Sequence, residues 1–257
     1  MHHRYHRILS VTAAICVLVM NTQIVMAAPT PVSIEDAKEK IIEKNQRFYL
    51  AEDGLHFNVP VKKMHTEWYD VCYQLINTFF RGCDYSELGG TAYLYDRMEP
   101  EVAECIIRDD QIAILMKRQN TIDEWCGRIA RQIFQNGMTR EDALYIAYFY
   151  ITDHFSYDFE LAGSGDAKRQ RDAQGAYYAI QNGKGICASL SKLFRSLVET
   201  IPFDSNGFVS WTTPEAQHLS VTIIRNSKHE WTSILFDGIE YYYDCSVENA
   251  HQMKGYK

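Results

Sequence analysis

The spacing of apolar residues changes character once along this 257-residue chain, and that change constrains the fold more than any other feature. Before Pro202, apolar side chains recur three and four positions apart. Trp68, Val71/Cys72, Leu75 and Phe79 form one such stripe, Leu144, Ala147/Tyr148 and Ile151 another, and Ile186, Leu190, Leu193/Phe194 and Leu197 a third. That spacing puts each set on one face of a helix. Beyond Pro202 come runs of β-branched and aromatic residues: Phe208 to Trp211, His218 to Ile224, Glu230 to Phe236 and Glu240 to Tyr243. Asn226-Ser227 and Asp237-Gly238 are turn signals between the last three. Helices first and an antiparallel sheet second imply an α+β fold rather than alternating parallel units.

Other segments are less regular. Ile34 to Glu43 reads as a short helix and Phe48 to Val59 as a hairpin or edge segment. Glu101 to Lys117 has a weaker helical stripe through Val102, Cys105/Ile106, Ala113 and Met116, interrupted at Asp109. Thr121 and Glu124 form a capping box that predicts a helix start there, followed by Ile122, Trp125, Ile129 and Ile133 on one face. Thr139 and Asp142 give a similar start. Gly163 to Ala173 is polar and reads as an exposed loop. A short helix around Tyr177 to Ile180 and a turn at Asn182 to Gly185 precede the third stripe.

Arg4 and Arg7 stand before an apolar stretch from Ile8 to Met20, which leads to Val25-Met26-Ala27. This is the pattern of a cleavable export signal, and the stretch is shorter than the roughly 20 residues a membrane span needs. The expected organisation is therefore a signal peptide over 1–27, a mostly helical extension over 28–118, and a core domain over 119–257. Loss of Arg4 and Arg7 takes the formal charge from −7 to −9. An acidic chain without a long basic run is a poor partner for nucleic acid or anionic lipid. Stable membrane insertion after signal cleavage is not expected either. Export would place Cys72, Cys83, Cys105, Cys126, Cys187 and Cys245 in a compartment that permits disulfides. Neither C-x-x-C nor H-E-x-x-H spacing occurs among them, so no metal site is expected.

Cys187 follows a Gly-Lys-Gly turn and opens an amphipathic helix, where unpaired N–H groups and the helix dipole favour a thiolate. A small buried core residue is the alternative reading of the same position. A nucleophilic thiol needs a base and a group that orients the base. His229 at the head of one predicted strand and Asp244 at the tail of the next become cross-strand neighbours if Asp237-Gly238 closes a tight hairpin. His218, on the preceding predicted strand, is the other candidate base. Gln181, six residues before Cys187, is a candidate polar group near the thiol or a solvated helix end.

Taken in order, these residues resemble the transglutaminase-like superfamily. The resemblance rests on Gly185-Ile186-Cys187, His229-Glu230-Trp231, Asp237-Gly238, the aromatic run Tyr241 to Tyr243, Asp244-Cys245-Ser246, and the upstream helix from Ala143 to the Tyr157-Asp158 pair. It spans roughly residues 119 to 248. The family often has His-Ala-Trp-Asn and Asp-x-Thr-Trp where this chain has His-Glu-Trp-Thr and Asp-Cys-Ser-Val.

The resemblance implies a papain-like core and a Cys187, His229, Asp244 triad working on peptide or protein amides through a thioacyl-enzyme. Hydrolysis is favoured over crosslinking. Triad chemistry requires no cofactor, and no D-x-D-x-D-G calcium loop is present in the sequence. Glu230 and the acidic charge suggest basic peptides or lysine-bearing acceptors as partners. Trp231 and Tyr241 to Tyr243 either line a groove or fill the core. The alternative function is a secreted, non-catalytic binding or scaffold module on the same fold, in which a Cys187–Cys245 disulfide would silence the thiol.

Overall fold

A computed structural model describes residues 31–88, 92–95 and 101–247. The expected signal segment 1–27 lies outside the described residues. The chain opens with α1 (Ile34–Lys44), then the hairpin β1 (Phe48–Ala51) and β2 (Gly54–Pro60), then α2 (Met64–Phe79). The strands β3 (Ala92–Tyr95) and β4 (Val102–Arg108) complete an antiparallel sheet in the order β1-β2-β4-β3. Next come the long helix α3 (Asp109–Ile133) and α4 (Arg140–His154). The two-residue strand β5 (Ser156–Tyr157) leads to the short helices α5 (Phe159–Ala162), α6 (Ala167–Asp172) and α7 (Ala176–Asn182). After β6 (Lys184–Gly185) and α8 (Cys187–Glu199), the antiparallel sheet β7 (Val221–Arg225), β8 (Glu230–Phe236), β9 (Ile239–Tyr243) ends the described fold. The α+β expectation holds.

Several local expectations do not hold, each for a physical reason. Val102 to Arg108 is a strand, not the start of a helix. Ala103, Cys105 and Ile107 alternate into the core, and β4 pairs with a neighbour on both edges. Ile106, on the opposite face, is also apolar and buried, so Cys105 to Ile107 make an apolar run that also fits a helix. No helix starts at Thr121. α3 is already under way there, and the Thr121 hydroxyl donates back to the Lys117 carbonyl at 3.0 Å instead of capping. The stripe looked broken because Gln119 takes a core position. Its side chain accepts from the Gly82 N–H at 2.9 Å and donates to Asp123 at 2.8 Å.

The segment 163–173 is largely exposed, as expected, but its last residue, Ala173, is buried and it holds the short helix α6, capped by Asp166. Phe208 to Trp211 forms no strand. Val209 instead bonds the α3–α4 connection, donating to Met138 O at 2.8 Å and accepting from Gly137 N at 2.9 Å. The N-terminal part also carries more strand than a mostly helical extension would. α3 runs through position 118, and one apolar core joins Ile41 and Phe57 to Leu115, Ile122, Phe194 and Ile234.

α8 is the axis of this arrangement, buried along nearly its whole length. Its apolar face packs against α3, α4 and α7, while its polar residues are also covered, by the N-terminal part and by β7–β8. Arg195 donates to Asn77 Oδ1 at 2.5 Å, and Glu199 accepts from Arg81 at 3.0 Å and from the Val221 N–H at 3.1 Å. A helix whose polar stripe is satisfied by partners on three elements holds its first residue, Cys187, in a fixed place.

Candidate active site

The approach to Cys187 is set by two glycines. α7 stops at Gly183, whose φ of 63° is the left-handed conformation that ends helices. The chain then pairs in parallel with β5, Gly185 opposite Tyr157, and enters α8 through an extended Ile186. The Ser189 hydroxyl accepts the Ile186 N–H at 2.9 Å and donates to the Ile186 carbonyl at 3.1 Å. A Cβ on Gly185 would lie 2.5 Å from that hydroxyl, so this position requires glycine for close approach. The β5–β6 pairing puts Tyr157 beside the thiol. Asp158, next along, fastens the pairing by accepting from Tyr178 at 2.9 Å and Lys184 at 3.1 Å.

The hairpin delivers the other two residues. Asp237 (φ 51°) and Gly238 (φ 76°) are both left-handed, the turn whose twist matches antiparallel strands. Thr232 pairs with Tyr243, so continuing the register sets Asp244 opposite Trp231 and diagonal to His229. The side chains meet: His229 Nε2 lies 2.5 Å from Asp244 Oδ2. Asp244 Oδ1 is held by the Ser246 hydroxyl at 2.6 Å and by the Ser246 and Val247 N–H groups at 3.1 and 3.2 Å. The serine of Asp-Cys-Ser thus fixes the carboxylate, and Trp231 stacks on the imidazole with centroids 5.8 Å apart. With Nε2 turned to Asp244, Nδ1 is the nitrogen left for proton transfer.

Cys187 and His229 line one open cleft of about 550 Å³. No direct thiol–imidazole hydrogen bond forms among the described contacts, which is common in sites without substrate. Burial pushes the Cys187 thiol above its ordinary value and the Glu230 carboxylate adds to that; backbone N–H groups of Glu230 and Ala188 and the Lys192 ammonium pull it back. Burial therefore outweighs the helix N-terminus, and the expectation of a resting thiolate is corrected. The residue enters as a thiol that needs a base.

Glu230, the charge beside His229, is only 2% exposed and points away from the imidazole into a buried cluster. Lys192 Nζ lies 2.5 Å from Glu230 and 3.1 Å from Asp84; Arg225 reaches Glu230 at 2.7 Å and Asp84 at 3.0 Å. Two carboxylates and two cations close into a neutral set directly behind the cleft. Burial pushes the Asp84 carboxyl up, but Lys192 and Arg225 outweigh it and hold it well below the ordinary range. Glu230 therefore stands where the family often has alanine because Lys192 and Arg225 are there to receive it.

The remaining candidates lie elsewhere. His218 is in the loop before β7 rather than on a strand, with a buried Nδ1 lacking a partner, and is not part of the cleft. Gln181 is exposed at the end of α7. Tyr241 and Tyr243 pack inward, against Phe236 and Phe194, and Trp231 covers the imidazole instead of lining the groove. Cys245 is buried in the core, and among the described residues no disulfide joins it to Cys187. The aromatic walls are Tyr157 and, unforeseen from the sequence, Trp68 and Tyr85 of the N-terminal part. Nothing in 28–118 carried a signal for them.

Residues 127–243 match the model of the transglutaminase-like superfamily, a segment that includes Cys187 and His229 and ends one residue before Asp244. It is this segment, rather than the whole chain, that is similar to the transglutaminase-like superfamily. A solved structure described as "Crystal structure of a TGase" is similar with a TM-score of 0.33 and 11% identity, over 56% of this chain. This chain spans 40% of that one. Comparison with curated proteins found no match.

In this transglutaminase-like core the elements flanking the cleft are α8, the β5–β6 pairing and the β7–β9 sheet. Trp68 and Asp84 to Ser86 add a wall that precedes the matched segment.

Proposed function

We propose that this protein is an exported cysteine-dependent acyl-transfer enzyme with Cys187 as nucleophile, His229 as base and Asp244 as the group that orients it. The observation that carries the reading is the 2.5 Å His229–Asp244 contact on the wall of the cleft that contains the Cys187 thiol. Asp244 fixes the Nε2–H tautomer, so Nδ1 can accept the thiol proton as sulfur attacks an amide or ester carbonyl. The new C–S bond places charge on the carbonyl oxygen, where the Cys187 N–H is the first donor. That N–H faces the Tyr157 hydroxyl, whose own ionisation burial and the nearby thiol and Asp244 disfavour. Tyr157 therefore stays a neutral donor and serves as the second group at the oxyanion. When the C–N bond breaks, the amine takes the proton from His229 and a thioester remains. Water then gives a peptidase or deamidase, and a primary amine gives crosslinking. The cleft is open to water, which favours hydrolysis.

A specific observation supports one rival. A partly buried thiol of raised pKa suits a binding module that keeps the fold without the chemistry. Mixing the protein with p-nitrophenyl acetate and mapping the adduct separates the two. The enzyme reading expects acetyl on Cys187, discharged by water and faster by an added alkylamine if crosslinking is the activity. Absence of an adduct on Cys187 supports the binding module.

A further inference from the structure

Among the described residues that line the cleft, the charges do not balance. Asp84 and Glu230 are buried, at 3% and 2% exposure, and are taken up by Lys192 and Arg225. What remains facing the open space is Arg171 at the end of α6 and Lys228 in the β7–β8 turn, both exposed. Neither has a carboxylate within salt-bridge distance among the described residues, and they stand on different structural elements of the rim. A chain of formal charge −7 thus presents a cationic mouth around its thiol. This reverses the expectation drawn from Glu230, because that carboxylate faces inward.

Resting on the acyl-transfer reading, we infer that the cleft selects acidic peptides, with substrate carboxylates close to the reacting carbonyl held by Arg171 and Lys228. The walls suit such a chain: Trp68, Tyr85 and Tyr157 line the cleft with aromatic side chains, while the two cations meet the peptide's side chains. The buried Asp84–Lys192–Glu230–Arg225 set holds both the turn that carries Lys228 and the N-terminal wall in place. Complementary charge at a rim acts mainly on selectivity and on the rate of encounter, and it weakens with salt.

The test uses the full mature chain and compares alkylation of Cys187 by iodoacetate, which is anionic, with iodoacetamide, which is neutral, at low ionic strength. The ratio of the two rates cancels any change in thiol reactivity. Arg171→Gln with Lys228→Gln should lower that ratio about threefold, an effect that shrinks in high salt, whereas Lys168→Gln, a charge change on α6 outside the cleft, should leave it in place. A peptide vinyl sulfone pair, Ac-Ala-Glu-Ala and Ac-Ala-Lys-Ala, should show about tenfold faster inactivation by the acidic member, lost in the double variant. If Cys187 reacts readily but neither ratio responds to the double variant, the acidic selectivity is wrong and the acyl-transfer reading stands. If Cys187 is inert to all the reagents, both fall.

Discussion

Replacing Lys192 by methionine isolates the buried charge cluster. The Lys192 side chain is 6% exposed, and its ammonium faces Glu230 at 2.5 Å and Asp84 at 3.1 Å, carboxylates whose side chains are 3% and 4% exposed. Methionine keeps the stem but leaves two buried carboxylates sharing one guanidinium. Removing one member of such a pairing costs about 3–5 kcal/mol, a large part of the roughly 5–15 kcal/mol that holds a typical domain folded. Adding Glu230→Ala restores one carboxylate to one cation, Asp84 to Arg225. The double variant should therefore be more stable than Lys192→Met alone, with a coupling of about 2 kcal/mol. Urea unfolding with an unchanged m-value reads this directly.

The pH dependence has a definite sign on each side. Asp84 is held below its ordinary 3.8, so its contribution is present above that value and disappears as pH falls through the folded pKa. Burial pulls Lys192 down, but Asp84 and Glu230 outweigh it and raise it above 10.5, so its contribution is present below 10.5 and is lost at higher pH. A Lys192→Met cost under 1 kcal/mol, or strict additivity with Glu230→Ala, would refute the argument that these charges neutralise one another.

Two further outcomes follow from the same contacts. Burial lifts Cys72, Cys83, Cys126 and Cys245 well above 9.0, so the folded chain keeps protons that the unfolded chain releases. Stability should then fall above pH 9 by about 1.4 kcal/mol per pH unit for each of these cysteines, and urea midpoints measured from pH 8 to 10.5 check it. Ser246→Ala removes the 2.6 Å bond to Asp244 while sparing the carboxylate. It should cost about 1 kcal/mol of stability and slow acylation of Cys187 several-fold, read by unfolding and by the nitrophenolate burst.

The sequence showed the half of the fold that carries Cys187, His229 and Asp244 more readily than its support. Cys187, His229 and Asp244 are tied to local devices that leave a trace in the order of residues: a glycine turn before a helix, and a hairpin closed by Asp237-Gly238. The N-terminal wall leaves none, because Trp68 and Tyr85 reach the cleft only through the packing of α2 and the segment after it onto α8. The burial of Lys192 leaves no trace for a related reason: on a helix wheel it falls on the polar face, yet Asp84 and Glu230 arrive from distant segments to bury it. Gln119 hid the length of α3 in the same way, being a polar residue in the core whose partners, Gly82 and Asp123, no apolar periodicity registers. The strand β4 was obscured because Ile106, on the face opposite Cys105 and Ile107, is also apolar and buried, which masks the alternation.

The central claim is that His229 activates Cys187. Its most direct measurement is trace alkylation of the reduced protein from pH 4 to 9, with mass mapping of each cysteine, in wild type, His229→Ala and His218→Ala. The account predicts that Cys187 reacts first among the cysteines. Loss of His229 should slow it at least tenfold near neutral pH, and the gap should close toward pH 9 as hydroxide replaces the base; loss of His218 should change nothing. A Cys187 that labels at the same rate with and without His229 would contradict it.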